Sequence, residues 1–243
     1  MESRKLMKIF FMVVAIIMLV VICLYFQKRN IKRNLVSNHN LAKLDPKLIN
    51  FDSNPDSPVA FGYKCQWFAV KTNDTQAVLD TMELKNIQIS NWKTGIEGAY
   101  EGYYFISPPI NGWTLVINSI MPDLSGTERP NPLDVISDLS SSFGEAYYFG
   151  THRVFEYHAW AKSIKGKLIR AYGYLGETGE TIINKGEISK EELENNLIFT
   201  DLDVEEPKLP DEENVLFIAK EWTIDPQMEN QNYQIGTGFI GIK

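Results

Sequence analysis

The sequence predicts an α+β fold, an antiparallel sheet with helices on one face, preceded by an N-terminal transmembrane helix. Three observations predict it. Short runs rich in β-branched and aromatic residues, such as "CQWFAV", "GWTLVIN" and "GKLIRAYGYL", alternate with helical segments that carry their own start and stop signals. The order strand, helix, strand, strand occurs twice, which allows two β-α-β-β units, with "GWTLVIN" closing the first and opening the second. Finally, residues 9–26, "IFFMVVAIIMLVVICLYF", are eighteen residues without a charge or a helix breaker.

At about 1.5 Å rise per residue, that apolar run nearly crosses a hydrocarbon core of roughly 30 Å. It is longer than the apolar part of a cleavable signal peptide, about 7–15 residues, and "YFQKRNIKRN" behind it offers no small-x-small cleavage site. The expectation is a basic leader (1–8), a retained signal anchor (9–26), a polar tether (27–60) and one α+β domain (61–243). Cations flank the run on both sides, with a slight excess after it, which by itself favours a cytoplasmic domain. A short basic leader before a single span points the other way, and the expected location is a single-pass cell-membrane protein with an extracytoplasmic domain. The lipid bilayer is then a partner through residues 9–26.

Within the domain, "CQWFAVKT" (65–72) reads as a continuous apolar strand. Asp74 or Thr75 then caps a helix that places Val78, Leu79 and Met82 on one face. "IQISNW" and "GYYFISPPINGWTLVINS" follow as strands, with "SPPING" as a turn. The second helix starts at Asn131 with Pro132 in its first turn, carries Leu133, Ile136, Leu139 and Phe143 on one face, and stops at Gly144. "AYYFGTHRV" and the hairpin "FEYHAWAKSIKGKLIRAYGYL" come next. In the tail, Ser189 and Glu192 form a capping box. Asp211 caps a helix with the stripe Val215, Ile218, Ala219 and Trp222. The acids between them, "DLDVEEPKLPDEE", lack the glycine of a calcium loop and read as a solvated linker.

Charge divides along the chain. Residues 1–33 hold seven Lys/Arg and one acid, leaving 17 of the 24 cations and 30 of the 31 acids, a net of −13, to the remainder. Such a domain repels phosphate backbones, so nucleic acid is not an expected partner. Beyond the apolar run Cys65 stands alone, so no intramolecular disulfide or Cys-type zinc site can form there, and it reads as a small core residue. No Gly-x-Ser-x-Gly elbow, His-Glu-x-x-His, P-loop or dinucleotide fingerprint is present, and no cofactor is expected.

The one stretch with chemical character is "FGTHRVFEYHAWAK" (149–162). Laid out as a strand, it puts His152, Val154, Glu156, His158 and Trp160 on one face. The two histidines would then stand roughly 20 Å apart at about 3.3 Å per residue, too far to share a metal ion. The turn around "SIKGK" pairs Trp160 and His158 with Ile169, Ala171 or Gly173. This makes Glu156, His158 and Trp160 the candidate binding residues, walls of a shallow pocket floored by Ala171 or Gly173. Against it stands the plainer expectation that His158 is a hydrogen-bonded, half-buried strand residue.

The segments "WFAVKT", "NWKTGIEGAY", "FISPPINGWTLV", "FGTHRVFEYHAWA" and "GKLIRAYGYLGETGE" together resemble a family of uncharacterised bacterial proteins, over roughly residues 62–226. The resemblance implies a bacterial origin and a single domain, and transfers no site; other members are largely soluble, from which residues 9–26 depart. The expected function is a membrane-anchored acidic domain that binds a protein partner or small ligand without catalysis. The competing expectation is a small acid–base or metal-assisted enzyme using Glu156 and His158.

Overall fold

The computed structural model describes residues 18–20, 49–126, 129–200, 202–229 and 232–243. Among the described residues nine strands form one sheet in which every neighbouring pair is antiparallel. In chain order the elements are β1 (Cys65–Val70), α1 (Thr75–Met82), β2 (Lys85–Asn91), α2 (Trp92–Tyr100), β3 (Tyr104–Ile106), β4 (Thr114–Asn118) and α3 (Pro132–Phe143). There follow β5 (Glu145–His152), β6 (Tyr157–Ile164), β7 (Lys167–Leu175), β8 (Glu180–Gly186), α4 (Lys190–Glu194), α5 (Glu212–Trp222) and β9 (Thr237–Ile242). Across the sheet the order is β2-β9-β3-β4-β1-β5-β6-β7-β8.

The α+β class is as expected, but helices cover both faces rather than one. Trp67, Phe105, Leu115, Phe149, Trp160 and Tyr172 point to the layer closed by α2 and α5. Phe68, Ile106, Val116, Tyr148, Ala159, Ala161 and Ala171 point to the layer closed by α1 and α3. The reason lies in the central strands: all six residues of β1 and all five of β4 are buried, so neither face can be left to water. On β6 and β7 the α3 face is built from alanines, which lets α3 approach until Ser140 Oγ donates to Ser163 Oγ at 2.9 Å and accepts from Gly166 N at 3.0 Å.

Helix signals in the sequence were followed closely. Asp74 accepts from Ala77 N, Asn131 from Leu133 N, and both the Ser189–Glu192 and Asp211–Asn214 capping boxes are formed. Cys65 is buried and free, and burial pushes its thiol up to about 12. β1 and β4 run side by side at the middle of the sheet, each followed by a helix on the same face. Of the two expected β-α-β-β units only the second keeps its order, because α2 stands between β2 and β3. Asn91 caps α2, and Gly95 and Gly98 let it lie close against Phe105 and Ile240. Residues 51–60 lie along this helix: Asp56 accepts from Trp92 N and Lys93 N, and Asp52 N donates to Thr94 Oγ1.

Among the described residues no helix is long and apolar enough to cross a membrane. That corrects the expected transmembrane helix, and with it the bilayer partner, the single-pass localisation and the extracytoplasmic placement. The helical residues described within 9–26 are 18–20 alone, less than one turn where a span needs about twenty residues, and the rest of the run lies outside the described residues.

Candidate functional site

The stretch 149–162 is not one strand. β5 ends at His152, a tight turn occupies 153–156, and β6 starts at Tyr157. Phe155 N donates to His152 O, and Glu156 takes a left-handed conformation at φ 50°, which reverses the chain. His152 therefore pairs with Tyr157 and Thr151 with His158, so the two histidines occupy adjacent rungs of one hairpin on opposite faces. The 20 Å separation of a continuous strand does not arise. The His152 ring lies against Phe155, at 4.7 Å between centroids.

The expected register of the next hairpin also changes. The turn is two residues, Lys165 and Gly166, but a bulge in β7 between Leu168 and Arg170 adds one residue. Everything beyond it moves to the other face. Trp160 now faces Tyr172 and His158 faces Tyr174, while Ala171 and Gly173 meet Ala161 and Ala159 on the α3 side. The expected floor of small residues under His158 is thus replaced by an aromatic one.

A cleft of about 340 Å³ opens where the β5–β6 turn and the end of β7 meet the start of α5. Glu156, His158 and Tyr174 line one side; Leu209, Pro210, Asp211, Glu212 and Glu213 line the other, with Arg153 from the turn. Of the three expected residues, Glu156 and His158 come together here. Trp160 does not: it is fully buried, lies 4.7 Å from the Tyr172 ring, and donates from Nε1 to Glu192 Oε1 at 3.0 Å. Glu156 is held because Gly176 N donates to its carbonyl, and because a glycine at 176 leaves room for its side chain.

Burial and one polar contact set the state of His158. Thr151 Oγ1 donates to Glu212 Oε1 at 3.5 Å and stands 3.3 Å from His158 Nδ1. Burial lowers the His158 pKa from 6.5 to about 4, with Asp211 pulling weakly the other way, so the ring is neutral at neutral pH. Tyr174 is 2% exposed, and its hydroxyl is buried with no hydrogen-bond partner among the described residues. Burial raises its pKa, and Glu156 adds to the rise. Tyr63 OH donates to Glu213 Oε1 at 2.7 Å, which orients that carboxylate and pushes the phenol up to about 12.

Tyr174, Thr151 and the start of α5 were not legible as site residues. Asp211 and its neighbours carry the signal of a helix cap, and Tyr174 carries none without the bulge. Among the described residues no group of three or more His, Cys, Asp or Glu could hold a metal ion. This corrects the metal-assisted expectation, and a histidine held at about 4 is poorly placed for acid–base work near neutral pH.

The low pKa has a measurable consequence. The unfolded His158 binds its proton near 6.5 and the folded one only near 4, so its contribution to stability is complete above 6.5 and is lost as pH falls towards 4. The loss is expected to be on the order of 2–3 kcal/mol. Urea melts at pH 7 and pH 4.5 on wild type and His158→Gln test it. An identical pH slope in both proteins would show that His158 is not the group responsible.

No protein-family model, curated protein or solved structure matches the chain.

Proposed function

We propose that this domain is a binding module whose cleft takes the cationic nitrogen group of a small ligand. The observation that carries the reading is the buried, unpartnered Tyr174 hydroxyl beside a neutral His158, in a cleft with four acidic side chains and one arginine. A buried hydroxyl without a partner costs about 1–3 kcal/mol, a cost a ligand can relieve. The neutral His158 ring, the Tyr174 oxygen and the Glu156 carboxylate each carry an acceptor, three in all, the number an ammonium group can satisfy with its three N–H bonds. The volume lies at the small end of ligand pockets, about 300–1,000 Å³.

The test is titration of the full chain with n-pentylamine, followed by amide chemical shifts. Shifts are expected at Thr151, Glu156, His158 and Tyr174, and Glu156→Gln and Tyr174→Phe should each weaken binding by about threefold or more, as loss of one charged or neutral hydrogen bond implies. Equal binding of hexanoate, or no effect of either substitution, would reject the reading.

A further inference from the structure

We infer that the ligand of this cleft is a zwitterion with an ammonium and a carboxylate on one carbon, the head group of a free α-amino acid. This rests on the cationic-ligand reading above and adds a second charge to it. Arg153 and Glu156 bracket the four-residue turn and both line the cleft. Both are exposed, and neither makes an ion pair with the other or with any other described residue.

The acids across the cleft are already engaged. Asp211 accepts from Asn214 N, Glu212 from Thr151 Oγ1 and Glu213 from Tyr63 OH. None of these three carboxylates makes an ion pair with Arg153, and Glu156 stands three residues from it in the chain. The turn thus contributes one positive and one negative residue to the cleft that Tyr174 and His158 also line. A ligand with a cation alone leaves Arg153 unmatched and close to a like charge; a ligand with a carboxylate next to its ammonium satisfies both. The planar fork of the guanidinium suits a carboxylate, which it can bind with two parallel hydrogen bonds.

Norleucine and n-pentylamine differ only in the carboxylate, which makes them the probes. By calorimetry on the full chain, norleucine is expected to bind about tenfold tighter than pentylamine, the ordinary size of one added charge-assisted contact. Arg153→Gln should weaken norleucine until the two probes agree within roughly threefold. Equal affinity of the two probes for the wild type would overturn the zwitterion and leave the cationic reading standing. Norleucine binding tighter, but with the gap unchanged in Arg153→Gln, would also overturn it, because the carboxylate would then be held elsewhere. Absence of binding by both probes would reject both readings.

Discussion

Glu192→Ala is expected to cost about 3–5 kcal/mol of folding stability, the usual cost of removing one partner of a buried ion pair. Glu192 is fully buried and Arg170 is 2% exposed. The guanidinium reaches the carboxylate through Nε at 3.0 Å and through its second terminal nitrogen at 2.8 Å, and Trp160 Nε1 donates to the same carboxylate. The other terminal nitrogen of Arg170 is held by Ala171 O, Asn184 Oδ1 and Lys185 O. Alanine at 192 would leave a buried guanidinium without a counter-charge and a buried indole N–H without an acceptor. It would also open the capping box of α4, since Ser189 N donates to Glu192 Oε2. A helix of five residues has little stability of its own, so α4 depends on this anchor.

Chemical denaturation measures the loss, and a loss below about 1 kcal/mol would show that the pair is not closed in solution. The double variant Arg170→Leu with Glu192→Leu should lose less than Glu192→Ala, because it buries no unpaired charge. Burial pulls the Glu192 pKa up, but the hydrogen bonds and charge of Arg170 and the bonds from Ser189 and Trp160 outweigh it, and the net shift is downward. Its contribution is therefore complete above the ordinary value of 4.5 and is lost as pH falls below it, a lower window than that of His158.

Trp160→Ala is expected to cost about 3–5 kcal/mol, the range for deleting a large aromatic from a core. Its ring is fully buried against both Tyr172 and Phe199, at 4.7 and 6.0 Å between centroids. Part of the cost is shared with Glu192, since the indole N–H is one of its donors, so the losses from Glu192→Ala and Trp160→Ala should not add. His158→Gln at pH 7 should cost less, about 1–2 kcal/mol, through the contact to Thr151. The reverse order in denaturant melts would place Trp160 outside the core and reject the geometry described for β6.

His158 and Trp160 stand two residues apart on one strand and looked alike in sequence, as neighbouring walls of a pocket. They differ because α4 and its ion pair close over Trp160, while over His158 the cover is the start of α5, which leaves a cleft. Nothing within the strand distinguishes them. Both the covering helices and the partner strand come from elsewhere in the chain, and the partner register depends on a single extra residue at the bulge in β7.

By itself the sequence determined what is local: the capped helices with their apolar faces, the apolar runs that become strands, and the burial of Cys65. These follow from side chains within a few residues of each other, where spacing maps directly onto a helix face or a strand face. Tertiary structure alone decided the rest. β9, near the end of the chain, enters between β2 and β3, and Gly238 allows it because any side chain there would run into the Ile106 carbonyl. Placing a strand by such a contact joins residues more than a hundred positions apart, and no local pattern encodes it. The break at 153–156, the bulge that turns Tyr174 towards His158, and the meeting of that edge with Asp211 at the start of α5 are of the same kind: each is settled by which distant surface the chain must pack against, and together they form the cleft.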